Sequence, residues 1–195
     1  QGDVTIDTRT LTTTFHQTSG TRWSYLIESC AAGLPYLRAI DIRDFAPPGL
    51  PWLIKLLVVD VGAGSTDVGY MIRTEHVDSR RELLHYFTPA PALELAGNSL
   101  TSEIRNYYRS KGHPLTFVEA ENIKTDSRQA EEWRNLSFVE NWRKEIGYHT
   151  KQYVTGVPDE KWLARGVKLL IVLTGGSAAV PALTEEVLSA VTEAL

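Results

Sequence analysis

The sequence predicts an α/β fold, and three observations carry that expectation. Two apolar runs, residues 53–59 and 167–173, read as strands buried on both faces. Each run ends in a glycine-rich turn, Asp60-Val61-Gly62-Ala63-Gly64 in one case and Thr174-Gly175-Gly176-Ser177 in the other. Helix-period apolar patterns separate and follow them, so strands and helices alternate along the chain.

The elements follow in order. Residues 1–22 are rich in Thr and suit an extended segment through Val4, Ile6 and Leu11. From Ser24 a short strand, WSYLI, runs into a helix carrying Ala31, Ala32, Leu34 and Leu37. Residues 41–52 hold three prolines and read as a loop. The first apolar run, broken only by Lys55, is followed by a returning strand over 68–74 and a third over 83–87. Asn98 or Ser99 is the expected cap of a helix with Leu100, Ile104 and Tyr107/Tyr108 on one face, stopped by Gly112. Residues 128–149 give the longest helical pattern, through Trp133, Leu136, Val139, Trp142 and Ile146. After the second apolar run and Pro181, a closing helix carries Leu183, Val187, Leu188, Val191 and Leu195 on one side.

Composition narrows the function. The chain has 195 residues and a formal charge of −4, with 24 acidic against 20 basic side chains, which gives no electrostatic footprint for nucleic acid or anionic lipid. One cysteine forms no intrachain disulfide and leaves too few soft ligands for a structural zinc site; Cys30 reads as a small packed residue. No apolar run approaches the length of a membrane span, and no basic-then-apolar leader opens the chain, so the expected compartment is the cytoplasm. The five histidines make no paired-ligand spacing, and Trp133, Trp142 and Trp162 read as core.

Four motifs carry chemistry. In residues 56–72, LLVVDVGAGSTDVGYMI, a strand delivers Asp60 to its carboxyl end. Gly62, Ala63 and Gly64 then permit a tight turn whose amides face inward, an anion nest suited to phosphate oxygens. Ser65 and Thr66 add hydroxyls, and Asp60 and Asp67 are carboxylates suited to a magnesium ion's water shell or an attacking water. A plain glycine-rich hairpin turn accounts for this stretch equally well. In residues 169–183, LLIVLTGGSAAVPAL, a double glycine admits close approach of a flat ring against Gly175 and Gly176, with Ser177 following. A strand-to-helix turn with ordinary capping is the alternative there, and the absence of a following Lys excludes a P-loop. In EAENIKTD, Glu121 and Lys124 lie one helical turn apart, which also describes a surface ion pair. In ESCAAGL, Glu28 sits at a strand-to-helix junction, where the helix dipole alone favours a carboxylate.

In this order, strand–DVGAGSTD–strand, AGNSLTSEI, EAENIK and strand–TGGSAAVPAL resemble the second half of the actin-like ATPase superfamily, over residues 24–195. This superfamily includes actin, the bacterial rod-shape actins, DnaK-type chaperones and sugar kinases. The resemblance implies a ribonuclease-H-like actin-type ATPase lobe: a mixed sheet flanked by helices, with a mainly helical insert at about 98–160. Residues 1–52 would be an N-terminal segment with the connecting helix, and 53–195 the lobe itself. It further implies ATP/ADP and Mg2+ as ligands, with Gly62, Ala63, Gly64, Ser65 and Thr66 at the phosphates. Asp60 and Asp67 would order the metal, Glu28 the attacking water, Gly175, Gly176 and Ser177 the adenosine, and Glu121 and Lys124 the ribose. The ESCAAGL and AGN segments are similar to the DnaK-like group, which implies ATP hydrolysis coupled to conformational change, with protein clients or co-chaperones. A cytoskeletal filament subunit and a non-catalytic interaction module are the alternatives. Ala63 stands where the family usually has a central Gly, and Ala96 and Ser99 where many chaperones carry a Gly and an acidic residue. No DxGT hairpin precedes Trp23, so the phosphate-closing N-terminal lobe and its catalytic Lys are expected to belong to another part of the protein.

Overall fold

The computed structural model describes residues 2–7, 12–17, 22–24, 28–39, 52–76, 81–87, 92–126, 128–157 and 169–195. After the N-terminal segment, helices and groups of strands follow one another in a mixed α/β order. The threonine-rich start is more than one extended stretch. Strands β1 (Gly2–Asp7), β2 (Thr12–Gln17) and β3 (Arg22–Ser24) form an antiparallel sheet, with Val4 opposite Phe15 and Phe15 opposite Trp23. Leu11 lies outside the described residues, as do the 41–51 part of the proline loop and Trp162.

Helix α1 (Glu28–Ala39) is followed by β4 (Trp52–Val61), β5 (Thr66–His76) and β6 (Arg81–Phe87). With β7 (Leu169–Thr174) they build a four-stranded sheet in the order β6-β5-β4-β7. The β5–β6 pair is antiparallel, Tyr70 opposite Phe87 and Ile72 opposite His85. Central β4 is buried from Ile54 to Val59, Lys55 included. Burial pushes the Lys55 ammonium below its ordinary pKa, because desolvation penalises the charged form. The other apolar strand is a correction: β7 is half-buried along its whole length. Among the described residues it is the edge of its sheet, where strand-forming residues find neighbours on one side only.

The chain divides into two compact units. The first comprises Gln1–Val59, Val68–Ala90 and Val157–Val172. Within it Gly33 is buried where α1 meets the sheet: a Cβ there would run into Val58 and come within 2.9 Å of Met71 and 3.0 Å of Leu56. That close approach is why the helix carries glycine at this position.

The second unit comprises Asp60–Asp67, Pro91–Gly156 and Leu173–Leu195. Its helices are α2 (Gly97–Ser110), α3 (Phe117–Thr125), α4 (Ala130–Trp133), α5 (Ser137–Gly156) and α6 (Leu183–Ala194). Leu100, Ile104, Trp133, Val139, Trp142, Ile146, Leu183, Val187 and Val191 form its core. Helix α2 is capped earlier than its sequence suggests. Ala96 is the cap, and Ser99, three residues on, accepts from the Ala96 amide at 3.2 Å. Lys111 and Gly112, at φ +82°, stop it as expected.

The long helix expected over 128–149 is instead broken between Trp133 and Ser137. At about 100° per residue, Trp133 and Trp142 would face opposite sides of a continuous helix. The break brings both indoles into the core. The Arg134 carbonyl at the break is taken up by Arg143 Nη1 at 3.1 Å. On α6, Leu188 and Leu195 are exposed, and Ala190 takes the buried position with Leu183, Val187 and Val191. The apolar stripe on this helix is therefore narrower than its count of leucines implies. Among the described residues no helix is long and apolar enough to cross a membrane.

Candidate functional site

The four motifs lie in separate parts of the chain. In the second unit, three of them meet at one residue, Gly97. The DVGAGSTD turn is closed by the Gly62 amide donating to the Ser65 carbonyl at 3.0 Å. The first amides of α2 then dock onto it, Gly97 N–H to the Gly62 carbonyl at 2.9 Å and Asn98 N–H to the Ala63 carbonyl at 2.8 Å. The TGGS turn joins from the other side, with the Ser177 amide donating to the Val61 carbonyl at 3.1 Å. A Cβ on Gly97 would strike Ser177 Oγ and lie 3.0 Å from Lys124 Nζ and 3.1 Å from the Gly62 carbonyl. Gly97 is thus the point at which both glycine turns and the EAENIK helix converge.

Glu121 and Lys124 are not a surface pair. The Lys124 side chain is 3% exposed; its ammonium lies 2.8 Å from Glu121 Oε2 and donates to the Gly97 carbonyl at 3.2 Å. The Thr101 hydroxyl reaches Glu121 Oε2 at 2.5 Å. Desolvation raises the Glu121 pKa, but the hydrogen bonds from Lys124 and Thr101 and the Lys124 charge outweigh it, so the carboxyl sits below its ordinary value. Glu121 itself is about one-third exposed, so the buried cation presents a carboxylate to solvent beside the TGGS turn.

Gly175 and Gly64 serve different ends. Gly175 has φ +93°, and a Cβ there would collide with the Val61 carbonyl and lie 2.6 Å from Asp60 Oδ1. Only glycine fits without strain. Gly64 and Gly176 have nothing within 4 Å of where a Cβ would stand, so the outer faces of both turns are open. The amides of Ala63 and Gly64, both exposed, have no acceptor among the described residues. Two such amides on an open turn suit an anion.

The side chains divide. Thr66, grouped with Ser65 as a hydroxyl donor on the sequence, is fully buried and donates to the Leu95 carbonyl at 2.7 Å, while its backbone pairs with Leu93. It braces the turn. Ser65 donates to Asp67 Oδ2 at 2.8 Å and keeps that half-buried carboxylate in place. Asp60, also half-buried, lies at the carboxyl end of β4. Among the described residues no three His, Cys, Asp or Glu side chains form a metal cluster. A magnesium ion at Asp60 and Asp67 would therefore complete its oxygen shell with water and ligand oxygens, as that ion commonly does. Ser177 is buried and directs its hydroxyl at Gly97 rather than outward. Glu28 opens α1 in the first unit, and its side chain lies outside the described residues.

A cavity of about 110 Å³ adjoins the TGGS turn, lined by Lys124, Thr125, Ala130, Gly176, Val180 and Pro181. Its lining is mostly apolar and small. One neighbour of the site matches no motif spacing in the sequence. His149 on α5 has its Nε2 buried with no hydrogen-bond partner among the described residues. Burial lowers the His149 pKa, opposed in part by the charge of Asp67.

No protein-family model matches this chain, and no curated protein sequence matches it. Among solved structures it is similar to the crystal structure of an archaeal actin homolog, at 16% identity and a TM-score of 0.36, over 93% of this chain and 54% of that one. The chain therefore spans about half the length of that structure.

Proposed function

We propose that this chain is the nucleotide-binding lobe of an actin-like ATPase, nearest in its motifs to the DnaK-like group. The observation that carries the reading is the convergence on Gly97: two glycine turns from residues 60–67 and 174–177 are hydrogen-bonded into one surface beside the Glu121–Lys124 pair. In this reading ATP is the substrate, and its phosphates lie over the open turn at the Ala63 and Gly64 amides. Magnesium would supply charge neutralisation at the phosphates. Asp60 and Asp67 would hold its shell, with Ser65 fixing the Asp67 carboxylate. Gly175 and Gly176 provide the flat approach for adenosine, Ser177 ties the turn to β4, and the exposed Glu121 oxygen meets the ribose. Glu28 would orient water. Hydrolysis in such a site rests on positioning and electrostatics rather than on a covalent intermediate.

The test is a titration of the 15N-labelled chain with Mg-ATP. Shifts confined to residues 62–65, 121–125 and 175–177 support the reading. Silence at millimolar ligand, in the chain and in the longer protein alike, refutes it. A filament subunit on the same fold is the second reading, and concentration-dependent sedimentation of the longer protein in ATP separates it from a monomeric chaperone.

A further inference from the structure

We propose that the groove between α2 and α5 is a docking site for a basic amphipathic segment of a partner protein. The groove encloses about 330 Å³ and lies wholly within the second unit. Its two walls repeat one pattern. Helix α2 places Leu100 at the floor and Glu103 three residues later at the rim; helix α5 places Trp142 at the floor and Glu145 three residues later. Leu100 and Trp142 are buried, while Leu95 and Phe138 remain half-buried and line the opening. Apolar surface therefore stays accessible inside a cleft whose charged lining groups, among the described residues, are two carboxylates.

Those carboxylates stand without a counter-charge among the described residues. Neither Glu103 nor Glu145 has an ion-pair partner among the described residues. Nearby cations on both helices are directed elsewhere: Arg105 to the Leu115 carbonyl, Arg143 to the carbonyls of Arg134 and Pro181, and Lys144 to Glu140. An occupant that fits both features carries one or two apolar side chains into the cleft and flanks them with Lys or Arg at the rim. An acidic or purely apolar occupant would leave the two rim charges opposed or unmatched. The floor is rigid, because Trp142 Nε1 donates to the Ala96 carbonyl at 3.0 Å. Ala96 caps α2, whose next two amides hold the Gly62–Ala63 turn, so one chain of hydrogen bonds runs from the groove floor to that turn.

The experiment uses the full chain and two synthetic peptides with one apolar pattern, acetyl-KLLKKLLKKLLK-amide and acetyl-ELLEELLEELLE-amide. Calorimetry gives affinities, and amide shifts locate the site. The expected result is binding of the lysine peptide alone, weakening as salt rises, with shifts at Leu95, Leu100, Phe138 and Trp142. The variant Glu103→Lys/Glu145→Lys should weaken binding about tenfold or more, since two attractions become repulsions. The control Glu131→Lys/Glu185→Lys, equal in net charge but outside the groove, should bind like the parent. Circular dichroism melts establish that both variants are folded. The proposal is overturned by equal binding of the two peptides, by no binding of the lysine peptide, by shifts elsewhere, or by matching losses in the two variants.

Discussion

Replacing Gly97 by Ala tests the convergence that defines the site. The added methyl would meet Ser177 Oγ, Lys124 Nζ and the Gly62 carbonyl. Ser177 can rotate away at the expense of its packing. Lys124 cannot move freely, because Glu121 and the Gly97 carbonyl hold it, and the Gly62 carbonyl is backbone already bonded to Gly97. Overpacking of this kind costs about 1–3 kcal/mol. Alanine's better helix propensity offsets less than about 1 kcal/mol, since residue 97 lies in the first turn of α2. The net expectation is a loss of about 1–2 kcal/mol, or a fall in Tm of about 2–8 °C for a chain of this size. Urea and thermal melts followed by circular dichroism measure it. A double-mutant cycle with Ser177→Ala isolates the cause: removing the hydroxyl should recover about 0.5 kcal/mol or more. Gly97→Ala within about 0.5 kcal/mol of the parent would falsify the crowding argument. An unchanged penalty in the Ser177→Ala background would show that Ser177 is not what the methyl meets.

Three further outcomes follow from the same geometry. Gly175→Ala should cost about 2–4 kcal/mol, from a left-handed backbone and a collision with Val61, whereas Gly64→Ala should be nearly neutral in the same melts. Lys124→Met should cost about 1–3 kcal/mol in urea unfolding, because it leaves the Gly97 carbonyl and the Glu121 carboxylate short of a donor; the partial exposure of Glu121 keeps the loss in that range. Stability should fall as pH drops below about 6.5 and fall again below about 4.5. His149 has a lowered folded pKa, so the unfolded chain takes up its proton first; Glu121 is lowered too, so its contribution is present above the ordinary Glu value and disappears in acid. His149→Gln should flatten the upper step alone in melts between pH 7 and pH 5.5, and an unchanged step would clear His149 of that role.

Local patterns carried much of this structure, and what they missed was settled by distant neighbours. Strand β4 and helices α1, α2 and α6 lie close to where apolar period and glycine stops put them. The break after Trp133 has no local signal strong enough to announce it; it follows from the need to bury two indoles that a continuous helix would hold apart. The same holds for the Ala96 cap, which is a poor capping residue by type and serves because Ser99 and Trp142 satisfy its backbone. The Glu121–Lys124 spacing was visible, but its burial depends on Gly97 and Thr101, residues from a different helix. Thr66 reads as a donor in its motif, and only the Leu95 carbonyl, 29 residues away, reveals it as a brace. His149 carried no motif at all.

The bond between Ser177 and Val61 has a consequence for how the protein is made. Its partners are more than a hundred positions apart, and those joining residues 97 and 98 to residues 62 and 63 also span a long stretch of chain. Contacts of such separation close late, because the intervening chain must first give up its freedom. A nascent chain emerging as far as α5 would hold the first glycine turn, α2 and the ion pair without the second turn. The surface would then be completed only when residues 175–177 leave the ribosome, which makes the second glycine turn, rather than the first, the step at which it takes its final form.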